Sequence, residues 1–400
     1  MQKSKLIRKR LLAILFVIIL FCGFLKNGSY MTLGKIFEYL SQTQNKSENE
    51  LLSVDGIENS YTEEIWMKNN LITINGEMAR KLKMQGLYSD LGMYVTDDNY
   101  IVSVYPYTST DYEYEQMISF RDFLKSNGVN LLYVNEPTKY LDDNTVGKQF
   151  GVETYSNRNM DVFLDRIREA GIDAIDLREN IKSEKINVKD MFYRTDHHWT
   201  TTSGLWATRI IAQGLNDKCG YNIDTSIYNK EKFNYKEWKK CWLGEQGRKV
   251  GVSYVGLDDY TEVTPKYPTR YTFFDKDGTT YDGTFKSFIY EWMYNTEYNI
   301  YDVASWYCSY NQFNCVNQNV AHGKVLIIGD SFNNVVHPFL SLGVHQVDSI
   351  VLRDYDDSFS LRDYIKENSY DTVIVAYAQF MVGQHDNPKS ANYNLFRLDH

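Results

Sequence analysis

Hydrophobic and polar positions alternate in two regimes along the chain. Over residues 117–215 and 324–377, short apolar runs are separated by stretches whose apolar positions recur every three or four residues. The first pattern predicts strands buried on both faces and the second predicts amphipathic helices. Helices are expected over residues 117–126, 159–170, 201–215, 333–342 and 361–367. Strands are expected over residues 129–134, 172–177, 324–328, 346–352 and 371–377. This order predicts an α/β fold, a parallel sheet with helices on both faces. Ligands of such sheets sit beyond the carboxyl ends of the strands.

Between residues 219 and 319 the alternation fails, and the sequence turns rich in Tyr, Trp and Gly. We read residues 219–320 as an insertion into the sheet domain. Its aromatic stretch, residues 288–313, includes Trp292, Tyr298 and Trp306. These rings suit sugar stacking, although buried aromatics more often build a core.

The amino terminus has another pattern. Residues 1–10 hold Lys3, Lys5, Arg8, Lys9 and Arg10, and residues 11–25 carry no charge. A basic flank before an apolar run stays cytoplasmic while the chain beyond the run is exported. The run is shorter than the ~20 residues of a comfortable span, so a cleaved signal competes with an uncleaved anchor. The residues after Leu25 offer a poor cleavage site, which favours a single-pass signal anchor. Residues 26–64, polar from 41 onward, then form a stem, and residues 65–400 form an extracytoplasmic domain.

Composition narrows the partners. With 43% hydrophobic and 24% charged residues and a net charge of -9, the chain suits a globular domain and offers no basic face to nucleic acid. Of five cysteines, Cys22 lies in the apolar run. Export would permit disulfides, with Cys308 and Cys315, or Cys219 and Cys241, as candidate pairs of open connectivity. The spacings are not those of a zinc site.

Candidate chemistry sits in two segments. Gly-Asp-Ser-Phe, residues 329–332, comes directly after a predicted strand. Ser331 there is either a nucleophile at a strand-to-helix turn or simply a helix N-cap. As a nucleophile it would use its own backbone N–H as one oxyanion donor, with Asn135 and Asn333 as candidates for the second. Residues 193–200, Tyr-Arg-Thr-Asp-His-His-Trp-Thr, hold two of the seven histidines. In extended backbone alternate side chains share a side, so Asp196 and His198 face one another while His197 points elsewhere. An imidazole fixed by a carboxylate is the general base a serine requires. Two other readings stay open. In one, Asp196 is a helix cap and the histidines pack beside Trp199; in the other, Asp196, His197 and His198 hold a metal. Adjacent ligands bend poorly around one ion, so no metal and no cofactor are expected. Trp199, Arg353 and Tyr377 are candidate substrate-binding residues, the last two at strand ends, where packing is the competing role. His337 reads as structural.

These motifs resemble the bacterial DHHW family, named for the tetrapeptide present here as residues 196–199. In layout the chain is similar to the SGNH-hydrolase-like domains of the alginate O-acetyltransferases. Residues 69–82 and 247–260 add to the resemblance, which spans most of residues 65–400. It implies an SGNH-hydrolase-like, flavodoxin-like fold and a triad of Ser331, His198 and Asp196, with the aspartate and histidine preceding the serine. His197 stands at the position that varies. The resemblance also implies O-acetylation of a cell-envelope or secreted polysaccharide, with a membrane-bound O-acyltransferase supplying acyl groups. A carbohydrate O-acetylesterase and a non-catalytic glycan-binding or envelope-assembly protein are the alternatives.

Overall fold

A computed structural model describes residues 68–275, 279–289, 313–385 and 393–399. The expected basic tail, anchor and stem lie outside the described residues, as do Trp292, Tyr298, Trp306 and Cys308. Among the described residues no helix is long and apolar enough to cross a membrane. The chain divides into a unit of residues 1–75, of which only the start of helix Lys68–Lys81 is described, and a unit from Gly76 onward. The second unit carries the sheet and the candidate chemistry.

Its strands are β1 (Met93–Val95), β2 (Ile101–Ser103), β3 (Asn130–Glu136), β4 (Asp173–Asp176), β5 (Phe233–Trp242), β6 (Asp258–Pro265), β7 (Tyr271–Phe274), β8 (Thr280–Gly283), β9 (Phe313–Asn317), β10 (Lys324–Gly329), β11 (Gln346–Ile350) and β12 (Thr372–Ala378). Eight form one sheet in the order β4-β3-β12-β10-β11-β9-β7-β8. The first five are parallel neighbours. β12 lies centrally, buried at every position of Thr-Val-Ile-Val-Ala-Tyr-Ala, as a strand covered on both faces must be.

Helices α1 (Asp111–Ser126), α2 (Ser156–Glu169) and α3 (Thr201–Cys219) cover this parallel part. Tyr133 of β3 meets Phe163 of α2 edge-on at 5.2 Å. Its neighbour Leu132 points the other way, toward α3, where Gly214 permits close approach. Consecutive strand residues face opposite sides, so helices lie on both faces, as expected.

Two expectations need correction. The sheet is mixed, because β9, β7 and β8 pair antiparallel at one edge. They come from the segment read as an insertion. They are four- or five-residue strands, and in β7 burial alternates, so no continuous apolar run marks it. The expected helix over 333–342 is instead a 3₁₀ turn, Ser331–Val335, and then the short helix His337–Leu340. Pro338 would clash with the carbonyl of residue 334 in a continuous helix and has no N–H to give it.

Cys219 and Cys241, at the end of α3 and within β5, are free thiols and form no disulfide. Cys315 is buried, and its suggested partner Cys308 lies outside the described residues.

Candidate active site

Ser331 begins the turn that leaves β10. Asp330, in extended backbone just before it, accepts hydrogen bonds from the N–H of Phe332 through Oδ1 and of Ala378 through Oδ2, both at 2.9 Å. One buried carboxylate thus joins the turn to the end of β12. Gly329 is required by close approach, since a Cβ there would lie 2.2 Å from Ala376 O and 2.3 Å from Asn333 Nδ2. The Asn333 amide donates to that same Ala376 carbonyl at 2.8 Å. Ser331 itself is half-buried and reachable from solvent.

The second half of the site is the loop before α3. Phe192 bridges to Trp199, and Tyr193 N donates to His198 O at 3.2 Å, which folds the loop back on itself. Buried Asp258 holds it from outside, accepting Arg194 N at 3.0 Å, Thr195 N at 2.8 Å and Thr195 Oγ1 at 2.5 Å. The turn entering α4 (Glu245–Val250) closes from the other side. Gly244 N donates to Thr195 Oγ1 at 2.8 Å and Gly247 N to Thr195 O at 2.7 Å. A Cβ on Gly244 would lie 2.4 Å from Asp196 Cβ, so this approach too excludes a side chain. Thr200, not Asp196, caps α3, through Ser203 N.

The two halves bring Ser331, His198 and Asp196 into one line. Ser331 Oγ lies 2.7 Å from His198 Nε2, and His198 Nδ1 lies 2.5 Å from Asp196 Oδ1. Asp196 also accepts His198 N at 3.0 Å and Glu245 N at 2.7 Å. Burial works against charge on Asp196, but the His198 and His197 rings and the His198 hydrogen bonds outweigh it, holding the carboxyl well below the usual carboxylate range. An ionised Asp196 fixes the proton on Nδ1 and leaves Nε2 to accept from the serine hydroxyl.

The loop is bent at residues 194–198, so the His197 ring lies beside that of His198, with centroids 3.9 Å apart, but takes no part in the hydrogen-bonded line. The ligand atoms of Asp196, His197 and His198 fall within 4.8 Å of one another. In this arrangement both His198 nitrogens are occupied, by Asp196 and by Ser331, so a metal could take that ring only by breaking the line.

The other candidates take other places. Trp199 is buried and donates Nε1–H to Phe332 O at 2.9 Å, pinning the residue after Ser331. Tyr377 is buried and donates its hydroxyl to Leu395 O at 2.6 Å. Neither ring offers a face to a ligand, so both are corrected from cleft to core. Arg353 remains partly exposed beyond β11, near enough to favour the ionised form of Asp330. Both proposed oxyanion amides point inward: Asn135 Nδ2 donates to Asp176 Oδ1 at 2.8 Å, and Asn333 Nδ2 to Ala376 O. His337 is buried, consistent with a packing role.

Several contributors were not singled out from sequence. Asp258 and the Gly244–Glu245 turn are the main ones. Lys139, also buried, donates from Nζ to Ile101 O at 2.8 Å and Arg194 O at 3.1 Å, and burial pushes its amine down to about 7. Glu136, at the end of β3, is fully buried with both carboxyl oxygens unpartnered, and burial, helped by Asp330, pushes it well above the usual range.

Residues 107–239 match the family model of the SGNH hydrolase-like domain of the acetyltransferase AlgX, a segment that holds Asp196 and His198. The chain resembles that domain. Bacillus cereus PatB1, in a structure with a sulfonyl adduct, superposes with a TM-score of 0.59 at 19% identity, covering 76% of this chain and 99% of that one. A DHHW family protein from Eubacterium siraeum superposes with a TM-score of 0.55 at 14% identity, covering 72% and 91%. At these identities the likeness is one of fold alone. No match is found among curated proteins.

Proposed function

We propose that the protein is an extracytoplasmic, serine-dependent O-acyltransferase that acetylates a cell-envelope or secreted polysaccharide. The observation that carries this reading is the continuous hydrogen-bonded line from Ser331 Oγ through His198 to a buried, ionised Asp196. In the first half-reaction Ser331 Oγ attacks the carbonyl carbon of an acyl donor while its proton passes to His198 Nε2. The donor's C–O bond then breaks, and that proton leaves with the departing alcohol. In the second, a sugar hydroxyl attacks the acyl carbon, gives its proton to Nε2, and releases Ser331 Oγ, which recovers the proton. Asp196 stabilises the imidazolium in both. Acyl groups outside the cell imply delivery by a membrane-bound O-acyltransferase, and the N-terminal apolar run implies attachment to the same membrane.

Solvent access to Ser331 favours a second reading, because water reaching the acyl-enzyme would make the protein a carbohydrate O-acetylesterase. The full chain supplied with an acetyl ester, with and without oligosaccharide acceptors, separates them. Acetylated sugar is the expected product. Acetate as the sole product under all acceptors would assign hydrolysis instead.

A further inference from the structure

The peptide group that leads into Asp196 is gripped at both ends by buried charge. Its N–H, on Thr195, donates to Asp258 Oδ2 at 2.8 Å, and its C=O, on Arg194, accepts from Lys139 Nζ at 3.1 Å. A peptide group is planar, so holding both ends fixes its rotation and the direction in which the chain enters Asp196. Lys139 stands three residues beyond β3 and is only 7% exposed. Its amine also donates to Ile101 O of β2 at 2.8 Å and to Gln246 Oε1 of α4 at 3.4 Å. The Gln246 amide is itself held, because Nε2 donates to Ser103 Oγ at 2.8 Å. Ile101 N closes the set by donating to Arg194 O at 3.0 Å.

Three acceptors from three parts of the chain match the three N–H bonds of an ammonium. A neutral amine has two N–H bonds and a lone pair, so one oxygen would lose its donor and face that lone pair instead. Burial lowers the amine to about 7, Asp196 and Asp258 work against that, and Arg194 adds to it. Of the other neighbours, the Tyr100 ring centre lies 5.9 Å from Nζ, and Glu245 of α4 is turned to Lys249 at 2.9 Å. His197 faces Lys139 across a space of about 10 Å³, room for one water. No substrate therefore reaches the amine, and it acts through the loop alone.

We infer that Lys139 is a positioning residue for acyl transfer: as an ammonium it locks the Arg194–Thr195 peptide, which aims Asp196 at His198 Nδ1 and so keeps Nε2 on the Ser331 hydroxyl. This role rests on the acyl-transfer reading above. An aspartate out of place leaves the imidazole free to turn, and a misplacement of about 1 Å at a reacting group costs up to about 10²-fold in rate.

The test compares the full native chain with Lys139→Met, which keeps the apolar stem and removes the charge and the donors. Turnover of p-nitrophenyl acetate is followed from about pH 6 to about pH 9. At the acid end the variant is expected to lose at least about tenfold in kcat, with KM changed by less than about twofold. The native-to-variant ratio of kcat should then shrink toward one as the native amine gives up its proton through about 7. A ratio that stays constant over the whole range would mean that the side chain supports the loop by its bulk, which overturns the role. Equal kcat at the acid end overturns it too. Should Lys139→Met fail to fold, the native profile decides: a fall of about tenfold toward the alkaline end supports the role, and a rate that rises to a plateau and holds there overturns it. Turnover that Ser331→Ala abolishes but Lys139→Met leaves unchanged removes the positioning role alone. Turnover by Ser331→Ala equal to that of the native chain removes the serine reading as well.

Discussion

The serine turn is held by the sheet it leaves, whereas the histidine loop is held by side chains and backbone from distant parts of the chain. Around Ser331 the anchors are strand neighbours: Asp330 on Ala378 N and Asn333 on Ala376 O, both at the end of adjacent β12. Around His198 they are Asp258, Gly244 and Glu245, separated from it by 46 or more positions and supplied by the region beyond the regular alternation. A strand end in a packed sheet has few alternatives. A loop has many, and each must be removed by a specific bond. The inserted region is therefore part of the candidate site, because it fixes the loop that carries His198.

This contrast can be broken at the loop. Asp196→Asn should lower ester turnover by about 10⁴, because an amide neither fixes the Nδ1 tautomer nor stabilises imidazolium. Initial rates with p-nitrophenyl acetate check it, and a loss of under tenfold would show that Asp196 does not orient His198. Asp258→Ala should cost about 3 kcal/mol of stability, since it strands the buried Thr195 N–H and hydroxyl and the partly buried Arg194 N–H. It should also reduce turnover without touching the reacting groups. Chemical denaturation measures the first effect, and unchanged stability would mean the loop is held by something else. A smaller loss, about 1 kcal/mol, is expected for Trp199→Phe, which removes the buried indole hydrogen bond to Phe332 O while keeping most of the ring's packing.

Acid sharpens the comparison further. Asp196 is held below its ordinary 3.8 in the folded chain, so its stabilising contribution is present above that value and is lost as pH falls through the folded one. His197 works in a different window. Its folded value of about 4 lies below the ordinary 6.5, so between them the unfolded chain binds the extra proton and stability drops as pH falls. His197→Gln should therefore lose less stability than the native chain between pH 8 and pH 5. Equal losses in paired melting curves would place a neutral His197 in doubt.

Legibility in the sequence divided along the same line. The parallel strands β3, β10 and β12 were readable as apolar runs a few residues long, and β4 and β11, which carry polar residues, from their place between helical stretches. β7, β8 and β9 were not, since they are short, β7 alternates in burial and edge strand β8 is largely exposed, so they look like any aromatic-rich loop. His198 and Asp196 stood out because histidine is scarce and their spacing of two sets both on one side of extended backbone. Asp258 did not, because an Asp-Asp pair in a polar segment reads as surface until the fold buries one member. Trp199 and Tyr377 were misplaced for a related reason. Each has an apolar body and one polar tip, and only the fold decides whether that tip finds a substrate or a buried carbonyl.

The proposed acyl transfer depends on Ser331 being a nucleophile activated by His198. PatB1, of similar fold, is described with a sulfonyl adduct, and a sulfonyl fluoride is a direct probe of an activated serine. Intact-mass and peptide-mapping spectrometry of the full chain after exposure to phenylmethanesulfonyl fluoride should find one adduct on Ser331. The adduct should be absent from Ser331→Ala and should form at least about 10²-fold more slowly in His198→Ala. An unlabelled native chain, or equal labelling of Ser331→Ala, would contradict the account.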